Sequence, residues 1–171
     1  MFIYGALAGA AVVGAIVLGL AMGSSTSDAG VWLGYLIMLV ALSLVFVGVK
    51  RYRDATLGGT IRFGTALGVG LGIAAVAAVV YVIGWEINLF MTDYQFINDY
   101  TAGVIEAKRA SGASAAELAQ LETEMAAMRA QYAKPAFRLG TTFMEIFPVG
   151  AAVALASAAV LRNSRLLPTR G

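Results

Sequence analysis

Four long apolar runs divide the chain, at about 2–22, 31–49, 63–85 and 139–161. The first three carry no charge, and the fourth is interrupted only by Glu145 and a few hydroxyl residues. Each is about 19–23 residues long, enough at 1.5 Å per residue to cross the roughly 30 Å hydrocarbon layer of a bilayer. Helix is the expected form, because an open strand would leave backbone N–H groups unpaired in lipid. The first run lacks a basic leader and exceeds the apolar stretch of a signal peptide, so it is expected to stay as a span.

The 93–134 segment follows a different pattern. Ser114-Ala115-Ala116-Glu117 has the form of a capping box, in which the serine hydroxyl and the glutamate carboxylate satisfy each other's backbone N–H groups. Leu118, Leu121, Met125, Met128 and Tyr132 then recur at spacings of 3 and 4, and Ile97, Tyr100, Val104 and Ala107 do the same upstream. Gly112, between them, suits a left-handed helix end. The pattern predicts a helical hairpin outside the membrane, with Pro135 ending its second arm before the fourth span.

Composition agrees. Hydrophobic residues make up 60% of the 171 and charged residues 13%, against about 25% charged in a soluble domain. Mean hydropathy is +0.80. There is no cysteine and no histidine, so the commonest metal ligands and general bases are missing. No serine has a histidine to activate it and none lies in a nucleophile elbow. The sequence thus predicts neither an enzyme nor a metal or cofactor site. A net charge of +2 gives no footprint for nucleic acid.

Charge placement predicts topology. Lys50, Arg51, Arg53 and Arg62 flank the second connection, and Arg162, Arg165 and Arg170 follow the fourth span. Short basic segments stay in the cytoplasm. Both termini and the 50–62 loop are therefore expected there. The polar turn at 23–28 and the 92–138 segment are expected outside. Arg51, Arg53 and Arg62 are candidates for an anionic lipid head group.

Small residues predict close helix contacts. Gly64, Gly68 and Gly72 make two successive small-xxx-small steps, and Gly5 with Gly9 another. The expected use of the Gly64, Gly68, Gly72 face is packing inside a four-helix bundle, with a homo-oligomer seam as the alternative. Gly58-Gly59 lacks the lysine of a phosphate loop and is expected to be a tight turn.

Glu86 and Glu145 are the carboxylates in or beside the apolar runs. An acid inside a membrane is a functional candidate, because charge there is costly. Glu86 lies about 23 residues into its run and Glu145 about six into its own, so both are expected near the outer interface. Pro148 has no N–H for the carbonyl of Met144. Glu86, Asn88, Thr141, Met144, Glu145 and Pro148 are therefore the candidate polar notch for a cation or proton. The plainer alternative pairs Glu145 with Arg138 or water. Trp32, Tyr35, Tyr81, Trp85, Phe90, Tyr94, Phe96, Phe143 and Phe147 fit an interfacial aromatic belt.

Tyr52-Arg53-Asp54, Leu57-Gly58-Gly59, Ile61, Phe63-Gly64, Ala66 and Gly70 form one stretch of about 19 residues. It resembles the signature K-x-Y-R-D…L-G-G-x-I-x-F-G-x-A-x-x-x-G of the bacterial membrane family catalogued as domain of unknown function four-one-nine-nine. The resemblance implies four spans, a helical insert before the last, and a bacterial inner membrane, across nearly the whole chain. Where that family often has extra lysines early in the third span, this chain has Thr65 and Gly68, which argues against a basic anion site there. The family has no assigned activity, so no catalytic residue carries over.

The expected fold is an all-α polytopic membrane protein, a single membrane domain of four transmembrane helices plus an extracytoplasmic helical hairpin. The expected function is association in the bilayer, as an accessory or assembly subunit of a membrane complex or as a homo-oligomer. The alternative is a small oligomeric cation- or proton-coupled transporter or channel using Glu86 and Glu145.

Overall fold

The structure, a computed structural model, describes residues 2–21, 28–164 and 167. Among the described residues it is all-helical: α1 (Phe2–Ala21), α2 (Asp28–Thr56), α3 (Phe63–Met91), α4 (Phe96–Ala110), α5 (Ala115–Tyr132) and α6 (Pro135–Leu161). Four segments are long and apolar enough to cross a membrane: Phe2–Leu20, Gly34–Thr56, Phe63–Met91 and Pro135–Leu161. The expected turn at 23–27, the side chain of Trp32, Arg165 and Arg170 lie outside what is described.

The helices outrun the apolar runs that predicted them. α2 continues through Lys50 to Asp54, where Lys50 reaches one turn ahead to the Asp54 carboxylate at 2.6 Å. It ends where Gly58 and Gly59 take φ of 64° and 93°, conformations open to glycine. α3 runs six residues past the expected limit, because Glu86 finds an ionic partner and need not leave the helix. α6 begins four residues early. Pro135 sits in its first turn, where a missing N–H costs nothing.

α3 is the hub, packed against α1, α2 and α6, while α2 closes against α1 and α6. The core between them is apolar, with Val12, Leu42, Val45, Ile73, Ala77 and Ile146 buried. Small residues set the spacing. Gly70 of α3 meets Ala154 of α6, and one turn along Ala74 meets Gly150. A Cβ added at Gly70 or Gly150 would stand 2.7 or 2.8 Å from the facing alanine methyl. The two helices thus exchange the same Gly-xxx-Ala step in antiparallel register, which brings their backbones close where lipid gives no hydrophobic drive. Gly5 and Gly9 seat α1 on the backbone of α3 in the same way, with a Cβ at Gly5 falling 2.6 Å from the Ile73 carbonyl oxygen.

The Gly64, Gly68, Gly72 face does not pack inside the bundle as expected. A Cβ on any of the three would meet open space. α3 turns Ala66, Gly70, Ala74 and Ala77 inward, and the three glycines lie on the opposite side. Spacing marked the Gly64, Gly68, Gly72 face, whereas the buried face carries the equally spaced Gly70 and Ala74.

The expected hairpin forms, with two corrections. Ser114 and Glu117 make the capping box, and Gly112 turns the chain at φ 82°. Met125 is buried, and Leu118, Leu121 and Tyr132 are half-buried, but Met128 is exposed. In α4 the inward position is Thr101, not Tyr100 or Ala107. Its hydroxyl donates to the Ile97 carbonyl at 2.8 Å and accepts from Arg129 at 3.4 Å, so a polar residue fills a place that a purely apolar pattern misses.

Candidate functional site

The hairpin end of the bundle gathers most of the polar chemistry. α3 brings Trp85 and Glu86 there, α5 brings Tyr132, and α6 brings Arg138. The Arg138 guanidinium holds both oxygens of Glu86, Nε to Oε1 at 2.7 Å and Nη2 to Oε2 at 2.8 Å. This fork-to-fork geometry is the strongest form of the carboxylate–arginine pair. Arg138 is 7% exposed and Glu86 24%. Nη1 also donates to the Tyr132 carbonyl at 3.2 Å, and the cation lies 4.9 Å from the Tyr94 ring centre.

Two further contacts tie the hairpin down. Trp85 Nε1 donates to the Tyr132 hydroxyl at 2.9 Å. The Trp85 ring meets Phe96 edge-on at 4.9 Å between centres. Burial raises the pKa of the Tyr132 hydroxyl, an effect partly offset by the Trp85 hydrogen bond and the Arg138 charge. The turn between α3 and α4 delivers Tyr94 to Arg138 through left-handed backbone at Asp93 and Tyr94, φ 49° and 57°. Such conformations are costly for residues with a side chain. Thr92 supports the turn by donating to the Asn88 and Leu89 carbonyls.

The expected notch is therefore divided. Glu86 belongs to Arg138, and Glu145 does not. Glu145 lies seven residues further along α6, roughly 10 Å deeper, and accepts from the Tyr81 hydroxyl at 3.3 Å. The plainer pairing of Glu145 with Arg138 also fails, since the guanidinium is taken. Thr141, Met144, Glu145 and Pro148 lie on the exposed side of α6, while the neighbouring Thr142 is buried. Asn88 meets the site only through its backbone carbonyl. α6 starts at Pro135, not Leu139, so Glu145 is ten residues into the helix. The part of Arg138 in holding Glu86 was missed. An Arg in an apolar helix's first turn, opposite an acid in another's last turns, was the available signal.

Two shallow apolar grooves of about 340 and 300 Å³ run along the α3–α6 seam. Val82, Ile83 and Leu139 line both, and Glu86 touches the mouth of the first. Neither includes Glu145. At the opposite, loop end, Arg53 is fully buried and bonds Asp54 and the Leu167 carbonyl. Its carbonyl also takes the N–H groups of Leu57 and Gly59. Arg53 is thus turned away from any lipid head group, whereas Arg51, bonded to the Tyr4 hydroxyl at 3.1 Å, and Arg62 are exposed.

Residues 2–163 match the profile of the family described as protein of unknown function, DUF4199, and the chain belongs to that family. No curated protein and no solved structure matches it.

Proposed function

We propose that the protein acts by association: it is an accessory or assembly subunit that holds a helical hairpin in a fixed pose above a four-helix membrane bundle. The observation that carries this reading is the Glu86–Arg138 fork, reinforced by Tyr132 and Trp85. These polar groups are spent on positioning the hairpin. The Gly64, Gly68, Gly72 face, left open on α3, fits a second helix from a copy or a partner in the bilayer.

The reading is non-enzymatic, since the sequence supplies no activated nucleophile and neither His nor Cys. A carrier using Glu86 and Glu145 together is less well supported, because Glu86 is engaged by Arg138. We place the protein in a bacterial inner membrane. The loop end, with Lys50, Arg51, Arg53, Arg62 and Arg162, faces the cytoplasm and the hairpin faces out. Arg51 and Arg62 remain the candidates for an anionic head group.

Purification of the full chain in mild detergent followed by native mass spectrometry tests the association reading. A defined homo-oligomer or a stoichiometric partner is expected. A monodisperse monomer, with nothing bound under conditions that keep other membrane complexes intact, overturns it.

A further inference from the structure

Glu145 has no role in fixing the hairpin, yet its position is the most demanding in the molecule. α6 is 27 residues long, and Glu145 is its eleventh. It sits within roughly 5–8 Å of the middle of the span. There the side chain is exposed on the bundle surface, at a depth where the surroundings are hydrocarbon. Its described partner is the hydroxyl of Tyr81, itself buried in α3. No cation among the described residues pairs with it.

The groups around it are few. From α3 come Tyr81 and, nearer the hairpin end, Glu86. From α5 comes Tyr132. On α6 itself Arg138 is spent on Glu86. The ionisable side chains described on α2 are Tyr35 and the loop-end set Lys50 to Asp54, and α1 has only Tyr4, also at the loop end. α6 carries Arg138, Thr142 and Glu145 at i, i+4 and i+7, the first two buried and Glu145 exposed at the edge of that face.

We propose that Glu145 is a proton-binding site within the membrane span, loaded from the hairpin end, the nearer end of α6. A hydronium ion from the aqueous phase on that side gives its proton to the carboxylate and leaves water behind. The Tyr81 hydroxyl donates to the charged carboxylate and accepts from the neutral acid, so both forms keep a hydrogen bond at the same place. Pro148, one turn on, removes a backbone hydrogen bond from this part of α6 and lets the helix respond to the change.

The test uses the full chain in liposomes treated with dicyclohexylcarbodiimide, a bilayer-soluble reagent that reacts with protonated carboxyl groups screened from water. Labelling is followed by peptide mass mapping between about pH 5 and pH 9, the range around the titration of perturbed carboxyls. One adduct is expected, on the peptide holding Glu145, falling at least tenfold across the range. Glu145→Gln removes it and Glu86→Gln keeps it. Tyr81→Phe moves the labelling midpoint to higher pH, because the donor that favours the carboxylate is gone. Circular dichroism of each variant verifies the helical fold. No adduct at any pH overturns the site, as does labelling that ignores pH or that is equally strong at the water-exposed Glu106 and Glu122. This outcome is independent of whether the protein has a partner.

Discussion

The Arg138 guanidinium grips the Glu86 carboxylate through two hydrogen bonds of 2.7 and 2.8 Å, joining residues 52 positions apart. One lies near the end of α3 and the other near the start of α6. Everything between them in sequence is the hairpin, so this pair closes the base of the loop that carries it. Removing one partner leaves the other charge largely buried. Arg138→Ala is expected to cost roughly 3–5 kcal/mol, whereas an apolar pair, Glu86→Leu with Arg138→Met, should lose much less. Thermal unfolding in detergent measures both. Equal losses would mean that the pair is screened by water and does not hold the hairpin.

Two glycine faces give opposite expectations. At Gly5 a new Cβ would press on the Ile73 carbonyl, so Gly5→Ala should destabilise the monomer by about 1–3 kcal/mol. At Gly68 the space is open, and Gly68→Ala should be neutral or slightly stabilising through helix propensity. Gly68→Leu should leave the monomer's melting temperature unchanged while shifting the oligomer distribution in native mass spectrometry. A fall in monomer stability at Gly68 would place that face inside the bundle after all.

Legibility followed the range of the interaction. Lipid solvation acts on each residue alone, so the spans could be read from apolar runs, and the capping box, a local exchange over three residues, could be read from Ser114 and Glu117. The helix ends could not. The extra turns of α2, α3 and α6 exist because Asp54, Glu86 and Arg138 find partners, two of them across the fold. Choosing between the two glycine faces of α3 also required its neighbours, since Gly64, Gly68 and Gly72 and the step from Gly70 to Ala74 have equivalent spacing.

The capping box carries a pH signature. Hydrogen bonds from the Ser114 backbone N–H and then its hydroxyl, with the Lys108 charge adding to them, hold the Glu117 carboxyl below its usual range. A depressed carboxyl stabilises the fold fully above its unfolded value and loses that contribution as pH falls through the folded one. Protection factors of the amides at the start of α5, taken relative to intrinsic exchange at each pH, should therefore hold at neutral pH and fall only in acid. Glu117→Gln should flatten this profile. An unchanged acid profile in the variant would show that the carboxylate does not hold the cap.

Topology can be read chemically, because the chain has no cysteine to interfere. Single substitutions Ala113→Cys, beside the hairpin turn, and Thr60→Cys, in the loop at the other end, place one thiol at each side of the bundle. A membrane-impermeant maleimide applied to intact cells should label Ala113→Cys and spare Thr60→Cys until the cells are opened. The reverse result would invert the bundle and with it the direction from which Glu145 is loaded.

The hairpin itself separates folding from association. Met125 is buried between the arms at 8% exposure, and Met128, three residues on, stands 38% exposed. Met125→Asp puts a charge into the α4–α5 interface and should cost roughly 3 kcal/mol or more, opening both arms to protease from Ser111-Gly112. Met128→Asp leaves that interface intact, so the isolated chain should resist protease as the parent does. If the hairpin is the docking element, however, Met128 and the likewise exposed Tyr100 are apolar groups available for a partner to cover. Met128→Asp should then reduce recovery of a hairpin-bound partner at least tenfold in mild detergent while the melting temperature holds. Were both methionine variants to keep the partner, association would have to run through the membrane helices, and the open Gly64, Gly68, Gly72 face would be the surface that carries it.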